Sequence, residues 1–420
     1  MRLKTTLISY IVTLLLLSPA FTLPAVSNNS CTPSPAGSVI FSHITVNEGL
    51  SSNSIRSIMQ DKYGYIWIGT DRGLNRWDGY DVTFYRKSYG LPVTSLYESG
   101  DTIWVGTEYG LYLYSQVTNC ICKFDTKEKD VDVSSINISC VKGDSKGNIW
   151  LTSMTHGIMR INAKDHTVNR IPTPDSASSY GSLFVDSSNN VWATSNWTKH
   201  TLVRFNAKHD RFDPIVLQFK NNDAVPYPTL SLTQSADGYI WLASARGDII
   251  RFHPNNLNAT LEMRKEDMGL KNVHTIIEVY NGYFLIGSDA GLTLYSAGSR
   301  AKWDYTTSVL PQGALSDNFV YPIIADKEGG IWIGTFYGGV NYYHPTLSNF
   351  TTHTATSSAN SLSGNVINHF REDRYGRIWL ASDDGGLSVY DPENCEYKNI
   401  SLSNQSIFNV HGLAIKNDKL

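Results

Sequence analysis

The fold is decided by the stretch Ile58-Met-Gln-Asp-Lys-Tyr-Gly-Tyr-Ile-Trp-Ile-Gly-Thr70, in which Asp-x-x-Gly joins two apolar runs. Gly readily adopts the positive φ that closes a tight turn, and an Asp side chain can bond the backbone of that turn. The run Ile66-Trp-Ile-Gly69 is apolar at successive positions, which is typical of a strand buried on both faces. A second turn at Asp71-Arg-Gly73 precedes an outer strand. The stretch therefore predicts a β-hairpin packed between neighbouring sheets.

The same unit recurs along the chain. Its central aromatic residue falls at Trp67, Trp104, Trp150, Trp192, Trp241, Phe284, Trp332 and Trp379. The separations run from 37 residues (Trp67 to Trp104) to 49 residues (Trp192 to Trp241), which fits one four-stranded blade of a β-propeller per unit. One such sheet cannot cover both of its own apolar faces, so the sheets are expected to close into a ring. We predict an all-β chain.

Two pairs of matching segments set the size of this ring. Phe41-Ser-His-Ile-Thr45 and Leu50-Ser-Ser-Asn-Ser-Ile55 are echoed by Phe350-Thr-Thr-His-Thr354 and Leu362-Ser-Gly-Asn-Val-Ile367. Phe41 and Phe350 are 309 residues apart, and seven of the aromatic markers lie between them. We therefore predict a seven-bladed β-propeller over residues 39–349. Its first strand, from Val39 to Val46, is expected to close the ring against the seventh blade.

Residues 350–420 are expected to form the first blades of a second, incomplete propeller. The segment Val410–Leu420 aligns with Val93–Ile103, which Trp104 follows in the first propeller. A finished sheet would not leave such strand edges unpaired. This alignment predicts that the native chain continues with an aromatic residue, expected to be Trp.

The N-terminus has the pattern of a secretory signal peptide. Basic residues precede an apolar run from Leu7 to Leu17, and small residues follow, so that cleavage is expected after Ala20 or Ala25. The run is too short to cross a bilayer comfortably. We predict a signal peptide over residues 1–25, a linker over residues 26–38, and a periplasmic location for the mature chain.

The composition argues against several functions. There are 35 basic and 38 acidic residues, and the resulting formal net charge of −3 offers no positive field for nucleic acid. The five cysteines have no zinc-like spacing and give no disulfide framework. They are Cys31, Cys120, Cys122, Cys140 and Cys395. Nucleophile elbows, phosphate-binding loops and EF-hand loops are missing from the sequence. We expect no metal, no cofactor, no nucleic acid contact and no catalytic residue in this segment.

Two recurring residue types could be mistaken for a functional site. The aspartates of the turns recur at Asp61, Asp144, Asp186, Asp237, Asp326 and Asp373. Because they occupy one repeated position, we interpret them as structural. The repeated Trp residues lie in the apolar strand, so we interpret them as core and not as a surface for stacking sugars.

Function is expected on the loops that differ between blades, because the repeat sets only the scaffold. The turns after the second strand of each blade converge at one end of a propeller. The ligand-binding candidates that they present are Arg72, Glu108, His156, Asn196, Trp197, Arg246 and Tyr337, and the same turns also carry Lys199, Asp289, Asp383 and Asp384. Arg, Asn and exposed aromatic side chains suit a sugar, since they combine directional hydrogen bonds with apolar contact.

Two blocks of sequence resemble a known family. The block that begins Phe41-Ser-His-Ile-Thr-Val-Asn-Glu-Gly-Leu50 and ends at Gly79, and the block Asp326-Lys-Glu-Gly-Gly-Ile-Trp-Ile-Gly-Thr335 with its continuation to Pro345, closely resemble hybrid two-component sensors of Bacteroides-type bacteria. The resemblance implies two seven-bladed propellers and an immunoglobulin-like domain in the periplasm. A membrane helix, a histidine kinase, a receiver and a helix-turn-helix regulator would follow them.

The resemblance also implies partners and a role. The ligand would be an oligosaccharide, and the response would be the expression of genes for polysaccharide use. The full-length protein would form a homodimer and would be tethered to the membrane by a helix beyond this segment. The cytoplasmic parts are not in this sequence, so no kinase activity is assigned to its residues.

Two other classes of function remain open. A propeller-fold glycan lyase or hydrolase would need paired acidic residues, for which the candidates are Asp289, Asp383 and Asp384. A protein-binding scaffold of the WD type would carry a Gly-His and Trp-Asp signature, of which Trp77-Asp78 is an isolated match. The identity of the sugar and the position of its pocket are left open by the sequence.

Overall fold

The computed structural model describes residues 39–125, 131–176, 179–195, 200–219, 229–270, 272–280, 282–307, 314–344, 353, 355, 360–394, 396–400 and 409–414. The predicted signal peptide and linker, and the predicted junction at residues 349 and 350, lie outside these residues. The chain divides into two compact units, one over residues 38–350 and one over residues 1–37 and 351–420. Within the described ranges, no helix has the length and apolar character that a membrane crossing requires.

The prediction of an all-β chain is confirmed, since the described residues form sheets built mostly from four antiparallel strands, and the short strand Gln218–Phe219 adds to one of them in parallel. In the first unit we number the sheets as blades 1 to 7. Blades 1 to 3 contain β2 to β5 (Ile55–Gln60, Ile66–Thr70, Gly73–Trp77, Val82–Phe84), β6 to β9 (Val93–Ser99, Thr102–Thr107, Gly110–Ser115, Cys120–Lys123) and β10 to β13 (Cys140–Gly143, Ile149–Ser153, Gly157–Ile161, Val168–Ile171). Blades 4 and 5 contain β14 to β17 (Ser182–Val185, Val191–Thr194, Leu202–Asn206, Arg211–Pro214) and β18 to β22 (Gln218–Phe219, Thr229–Gln234, Ile240–Ser244, Ile249–Phe252, Asn258–Met263).

Blades 6 and 7 complete the first unit. They contain β23 to β26 (Val273–Tyr280, Tyr283–Ser288, Gly291–Ser296, Lys302–Tyr305) and β27 to β29 (Val320–Ala325, Ile331–Thr335, Val340–Tyr343), with β1 (Ser42–Ile44) paired to β29. In the second unit, one sheet contains β30 to β33 (Ile367–Glu372, Ile378–Ser382, Gly386–Asp391, Glu396–Ile400). Short helical segments are the 3₁₀ turns Val46–Glu48, Arg86–Ser88 and Pro174–Ser176 and the helix α1 (Lys265–Met268).

The first strands of the blades contact one another in circular order. The order is β2, β6, β10, β14, β19, β23 and β27, and β27 in turn contacts β2. Small residues permit this close approach. At Gly69 of blade 1, for example, a Cβ atom would lie 2.4 Å from Ser57 Oγ and 2.5 Å from a methyl group of Val93 in blade 2.

The N-terminal strand pairs with blade 7, although it is shorter than the predicted strand from Val39 to Val46. Strand β1 covers only Ser42–Ile44 and runs antiparallel to β29, with Ile44 opposite Val340. It ends early because Thr45 caps the 3₁₀ turn that follows. The backbone N–H of Thr45 donates to Glu48 Oε2 at 2.7 Å, and Asn47 N donates to Thr45 Oγ1 at 3.1 Å, which forms a capping box.

A recurring hydrogen bond joins each turn to the buried strand behind it. The indole N–H of the Trp donates to the carboxylate of the Asp six residues earlier, at distances of 2.8 to 3.0 Å, in the pairs Trp67 and Asp61, Trp150 and Asp144, Trp192 and Asp186, Trp332 and Asp326, and Trp379 and Asp373. The same aspartates accept bonds from the backbone of their own turns, as Asp61 does from Tyr63 N and Tyr65 N. These contacts give the five aspartates a structural role.

Blade 5 departs from this pattern. The prediction that Asp237 occupies the recurring turn position is wrong. The residue six positions before Trp241 is Ser235, whose hydroxyl accepts the indole N–H at 3.1 Å. Asp237 lies two residues later, where it accepts a bond from the hydroxyl of Ser235. The residue that bonds the indole is therefore defined by its place six residues before the Trp, and this residue can be Asp or Ser.

A second recurring hydrogen bond links one blade to the next. The backbone N–H that follows the turn position donates to a side-chain oxygen of the following blade, at 2.6 to 2.8 Å, in the pairs Lys62 and Glu98, Ser145 and Asn189, Ser187 and Gln234, Ala236 and Glu278, and Lys327 and Gln60. The last pair joins blade 7 to blade 1. Since the donors are backbone groups, these bonds depend on the acceptor side chain of the following blade and not on the side chain of the donor residue.

The alignment of Val410–Leu420 with Val93–Ile103 predicts part of a β-hairpin at the end of the second unit. The described part of that end, residues 409–414, contains no strand. Instead, Val410 N donates to Ser382 O at 3.0 Å and Leu413 N donates to His369 Nδ1 at 3.0 Å. Residues 415–420 lie outside the part of the chain that the structure describes.

Candidate functional site

Irregular pairing near the start of the inner strand is found in blades 1, 2, 5, 6 and 7, and in the adjacent blades 6, 7 and 1 it involves polar or aromatic side chains. In blade 1, Ile55 lies opposite Thr70 and Ser57 lies opposite Gly69, so that Arg56 occupies a β-bulge. His274 occupies the same place in blade 6, and Tyr321 with Pro322 occupies it in blade 7. A bulge takes a residue out of the regular ladder and re-aims its side chain. Blades 6, 7 and 1 are neighbours in the ring, so the three bulges are presented side by side.

These bulges gather a group of aromatic rings. The His274 ring stacks on Tyr321, with centroids 4.0 Å apart and planes 12° apart. Tyr321 in turn lies 5.6 Å from Phe336, and the Arg56 guanidinium lies 5.6 Å from the centroid of the same Phe336 ring. Phe336 contacts Tyr337, which contacts Phe319. We call the set the bulge cluster, and it comprises Arg56, His274, Asp289, Asp317, Phe319, Tyr321, Phe336 and Tyr337.

Hydrogen bonds hold the two carboxylates of the bulge cluster. One oxygen of Asp289 lies 2.7 Å from His274 Nε2, and the other accepts a bond from Asn272 Nδ2 at 2.7 Å. Because an ionised carboxylate only accepts, His274 Nε2 is the donor of the first bond. Asp317 Oδ2 accepts the backbone N–H of Tyr337 at 2.9 Å. The His274 and Asp289 side chains are only 19% and 20% exposed, so this pair is well ordered by its surroundings.

Burial and the charged residues of the bulge cluster shift the pKa of the Tyr321 hydroxyl. Burial raises this pKa, and the nearby carboxylate of Asp289 raises it further, while Arg56 lowers it. The hydroxyl is therefore neutral near pH 7 and can both donate and accept a hydrogen bond.

Part of the bulge cluster is open to solvent. Tyr337 is 67% exposed and Phe319 is 40% exposed, whereas Arg56, Tyr321 and Phe336 are partly buried. Exposed rings beside hydrogen-bonding groups that are held in place form a surface able to bind an amphipathic small molecule. The cluster contains no nucleophilic Ser or Cys.

Of the predicted site residues, Tyr337 lies in the bulge cluster, as does the further turn residue Asp289. Arg72 and Arg246 are exposed in the turns between β3 and β4 and between β20 and β21. Glu108 and His156 are partly buried in the corresponding turns of blades 2 and 3. Their assignment to a ligand stays a prediction. Asn196, Trp197 and Lys199 lie outside the described residues.

The other predicted acidic candidates lie in the second unit. Asp383 Oδ1 is 2.9 Å from His411 Nδ1. Asp384 accepts the backbone N–H groups of Asn365 and Val366 at 2.9 and 3.0 Å, and these bonds lower its pKa. Asp384 thus orders the loop that it faces.

Sequence reasoning did not find Arg56, His274, Tyr321 and Phe336. Arg56, His274 and Tyr321 directly follow the β-branched residue that begins the first strand, namely Ile55, Val273 and Val320. A polar or aromatic residue at this place is the available signal. It is a weak signal, because regular alternation along a strand does not show where a bulge will re-aim a side chain.

Metal sites and cavities among the described residues give weaker evidence for a functional site than the bulge cluster does. No group of His, Cys, Asp and Glu side chains in the described ranges could hold a metal ion. A cavity of about 240 Å³ between blades 2 and 3 is lined by Trp104, Phe124 and His166 among others. A cleft of about 440 Å³ beside blades 7 and 1 is lined by Trp77 and Glu328 among others.

Parts of the chain are similar in sequence to known proteins. Residues 49–72, 314–337 and 361–384 match the family model described as two component regulator propeller. Histidine kinase P4 of Formosa agariphila is 43% identical over 49 residues, which are 12% of this chain and 4% of that protein. Most residues of the bulge cluster fall in the first two matched segments.

Solved structures share the fold. The extracellular domain assigned to a hybrid two component system of B. thetaiotaomicron superposes with a TM-score of 0.68 and 18% identity, covering 87% of this chain and 49% of that one. Virginiamycin B lyase from Staphylococcus aureus superposes with a TM-score of 0.57 and 14% identity, covering 73% of this chain and 98% of that one. This chain thus spans about half of the extracellular domain and a small fraction of the histidine kinase.

The fold and the repeat define a β-propeller. Three segments of the chain match the two component regulator propeller model, and its fold is similar to that of an extracellular domain from a hybrid two component system, which confirms the resemblance found in its sequence.

Proposed function

We propose that this chain is the periplasmic, ligand-sensing region of a hybrid two-component sensor, and that an oligosaccharide binds at the bulge cluster. The observation that carries the proposal is the meeting of His274, Tyr321 and Phe336 from two blades with Arg56 from a third. The bulges of blades 6 and 7 and the closure of the ring onto blade 1 bring these residues together. A ligand at this place would touch three blades at the same time.

The chemistry of the bulge cluster suits a sugar. A pyranose ring has an apolar C–H face, which packs on aromatic rings such as the exposed Tyr337 and Phe319. Its hydroxyl groups need directional partners, which the Tyr321 hydroxyl and the Asp289 carboxylate can supply. Since Asp289 is held by two donors, its free lone pairs are fixed in direction.

Signalling then requires that the sugar prefer one of two arrangements of the sensor. We propose that the arrangements are those of a homodimer of the full-length protein, whose membrane helix and histidine kinase lie outside this chain. The output would be the expression of genes for polysaccharide use. The chain itself would bind its ligand without altering it.

Calorimetric titration of the chain with a panel of oligosaccharides tests the proposal. We expect one class of sugar to bind with one site per chain, and Tyr337→Ala to weaken that binding about tenfold or more through loss of an aromatic contact. Tyr109→Ala is the matched control, because Tyr109 is an exposed turn residue of blade 2, and this variant should bind like the wild type. Failure of every sugar to bind would overturn the proposal.

The alternative to a sensor is a glycan lyase or hydrolase, and one contact in the bulge cluster favours it. His274 and Asp289 form a hydrogen-bonded pair at 2.7 Å that could act as an acid and base. Product analysis after long incubation with the same sugars separates the two functions. The sensor proposal expects the sugars to be recovered unchanged, whereas turnover that His274→Gln abolishes would establish the enzyme.

A further inference from the structure

The charged side chains of the bulge cluster differ in whether their polar atoms have hydrogen-bond partners. Both carboxylates are bound, Asp289 by His274 and Asn272 and Asp317 by the backbone of Tyr337. Arg56 is different, because its Nε is buried and has no hydrogen-bond partner among the described residues. A buried donor without an acceptor is unfavourable until something supplies one. The donor of the cluster that lacks an acceptor is therefore Arg56 Nε, on a cationic side chain.

Arg56 also stands apart from the other arginines that lie over aromatic rings. Arg76, Arg160, Arg204 and Arg251 each lie over the Trp of their own blade, at one repeated position. Arg160 is paired with Asp210 at 2.7 Å, Arg204 donates to Pro254 O at 3.1 Å, and Arg251 lies 3.1 Å from Glu262. Arg76 Nε has no partner but belongs to this repeated stack. Arg56 instead occupies the bulge of β2, and its guanidinium lies over Phe336 of blade 7.

We propose that the bulge cluster selects acidic sugars, and that Arg56 binds the carboxylate of a uronic acid residue. This inference rests on the proposed function and names its ligand class. A guanidinium presents a planar fork of donors that matches a carboxylate, and it gives stronger hydrogen bonds than a neutral donor. The Phe336 ring limits the orientations of the Arg56 guanidinium, so less freedom is lost when the sugar binds.

The test compares each acidic oligosaccharide with its own carboxyl-reduced form, which keeps the linkage and removes the charge. Oligogalacturonides and alginate oligosaccharides are suitable probes for calorimetry. At least one of them should bind the wild-type chain about tenfold or more tightly than its reduced form. Arg56→Gln should abolish this preference, and Arg56→Lys should keep part of it, since the charge remains. Arg86→Gln, at an exposed arginine after β5, should leave it unchanged.

The outcomes separate the inference from the proposed function. Equal binding of acidic and reduced sugars, or binding of neutral sugars alone, would overturn the inference and leave the sensor proposal standing. A preference for acidic sugars that survives in Arg56→Gln, with an unchanged melting temperature, would also overturn it. Absence of binding by acidic and neutral sugars alike would overturn both.

Discussion

The backbone N–H of Lys327 donates to the side-chain oxygen of Gln60 at 2.8 Å, and this bond joins blade 7 to blade 1 across 267 residues of sequence. The nitrogen of the same side-chain amide, Gln60 Nε2, donates to Glu328 Oε2 at 2.9 Å. Elsewhere in the ring a covalent connection runs from each blade to the next. Between blades 7 and 1 the chain passes through β1, which is held to β29 of blade 7 by noncovalent pairing, and the proposed ligand site lies across that junction.

Removal of the Gln60 amide should loosen the junction. Gln60→Ala leaves Lys327 N and Glu328 without this partner, so we expect a loss of about 1 to 2 kcal/mol in the free energy of unfolding, measured by urea denaturation. Gln218→Ala, at an exposed glutamine of β18, serves as the control and should change it by less than about 0.5 kcal/mol. Equal stabilities of the two variants would show that the bond contributes nothing.

The N-terminal strand should contribute more than its three residues suggest. Phe41 is 5% exposed and packs against Tyr305 and Tyr343 of blades 6 and 7 at 6.3 and 6.1 Å. Phe41→Ala should lower the free energy of unfolding by about 3 kcal/mol, because it leaves a cavity at this contact. The neighbouring Ile40 is 48% exposed, so Ile40→Ala should have a small effect in the same urea titration. A small effect of Phe41→Ala would mean that its contact with Tyr305 and Tyr343 contributes little to stability.

The turn aspartates should be replaceable by the residue that blade 5 uses. Asp186 accepts bonds from Ser188 N, Asn190 and the Trp192 indole. Asp186→Ala leaves these donors unpaired, and we expect a loss of about 2 to 4 kcal/mol in stability. Asp186→Ser should lose much less stability than Asp186→Ala, since Ser235 accepts the indole N–H of Trp241 in the same way. If Ser were as harmful as Ala, the likeness of the two positions would be superficial.

Alkaline pH should weaken the contact around Phe41. Burial raises the pKa of Tyr305 to about 12, and the neighbouring Tyr343 adds to this. The unfolded chain ionises this residue from about pH 10, so its contribution is present below that pH and is lost as the pH rises toward 12. Stability should fall over this range by up to about 2 kcal/mol more in the wild type than in Tyr305→Phe. Identical pH profiles of the two proteins would contradict this expectation.

The scaffold was predictable because its signals are local and repeated. The spacing of Trp67 and its equivalents predicts the blades, and Trp67, Trp150, Trp192 and Trp241 are each almost fully buried. The misplacement of Asp237 has a local cause as well, because the turn is anchored by distance from the Trp and Ser235 can fill that place.

The candidate site was predictable only where it follows the repeat. Tyr337 and Asp289 lie in the turn that each blade carries, so their end of the ring could be named in advance. Arg56, His274 and Tyr321 are brought together by ring closure and by bulges, both of which depend on packing between distant segments. No pattern within one strand encodes that meeting.

A crystal structure of the chain with a bound acidic oligosaccharide tests the central claim most directly. We predict density for the sugar against Tyr321 and Tyr337, with a carboxylate within hydrogen-bonding distance of the Arg56 guanidinium. Density for the sugar at another place, such as the cavity between blades 2 and 3, with the bulge cluster unchanged, would contradict the account.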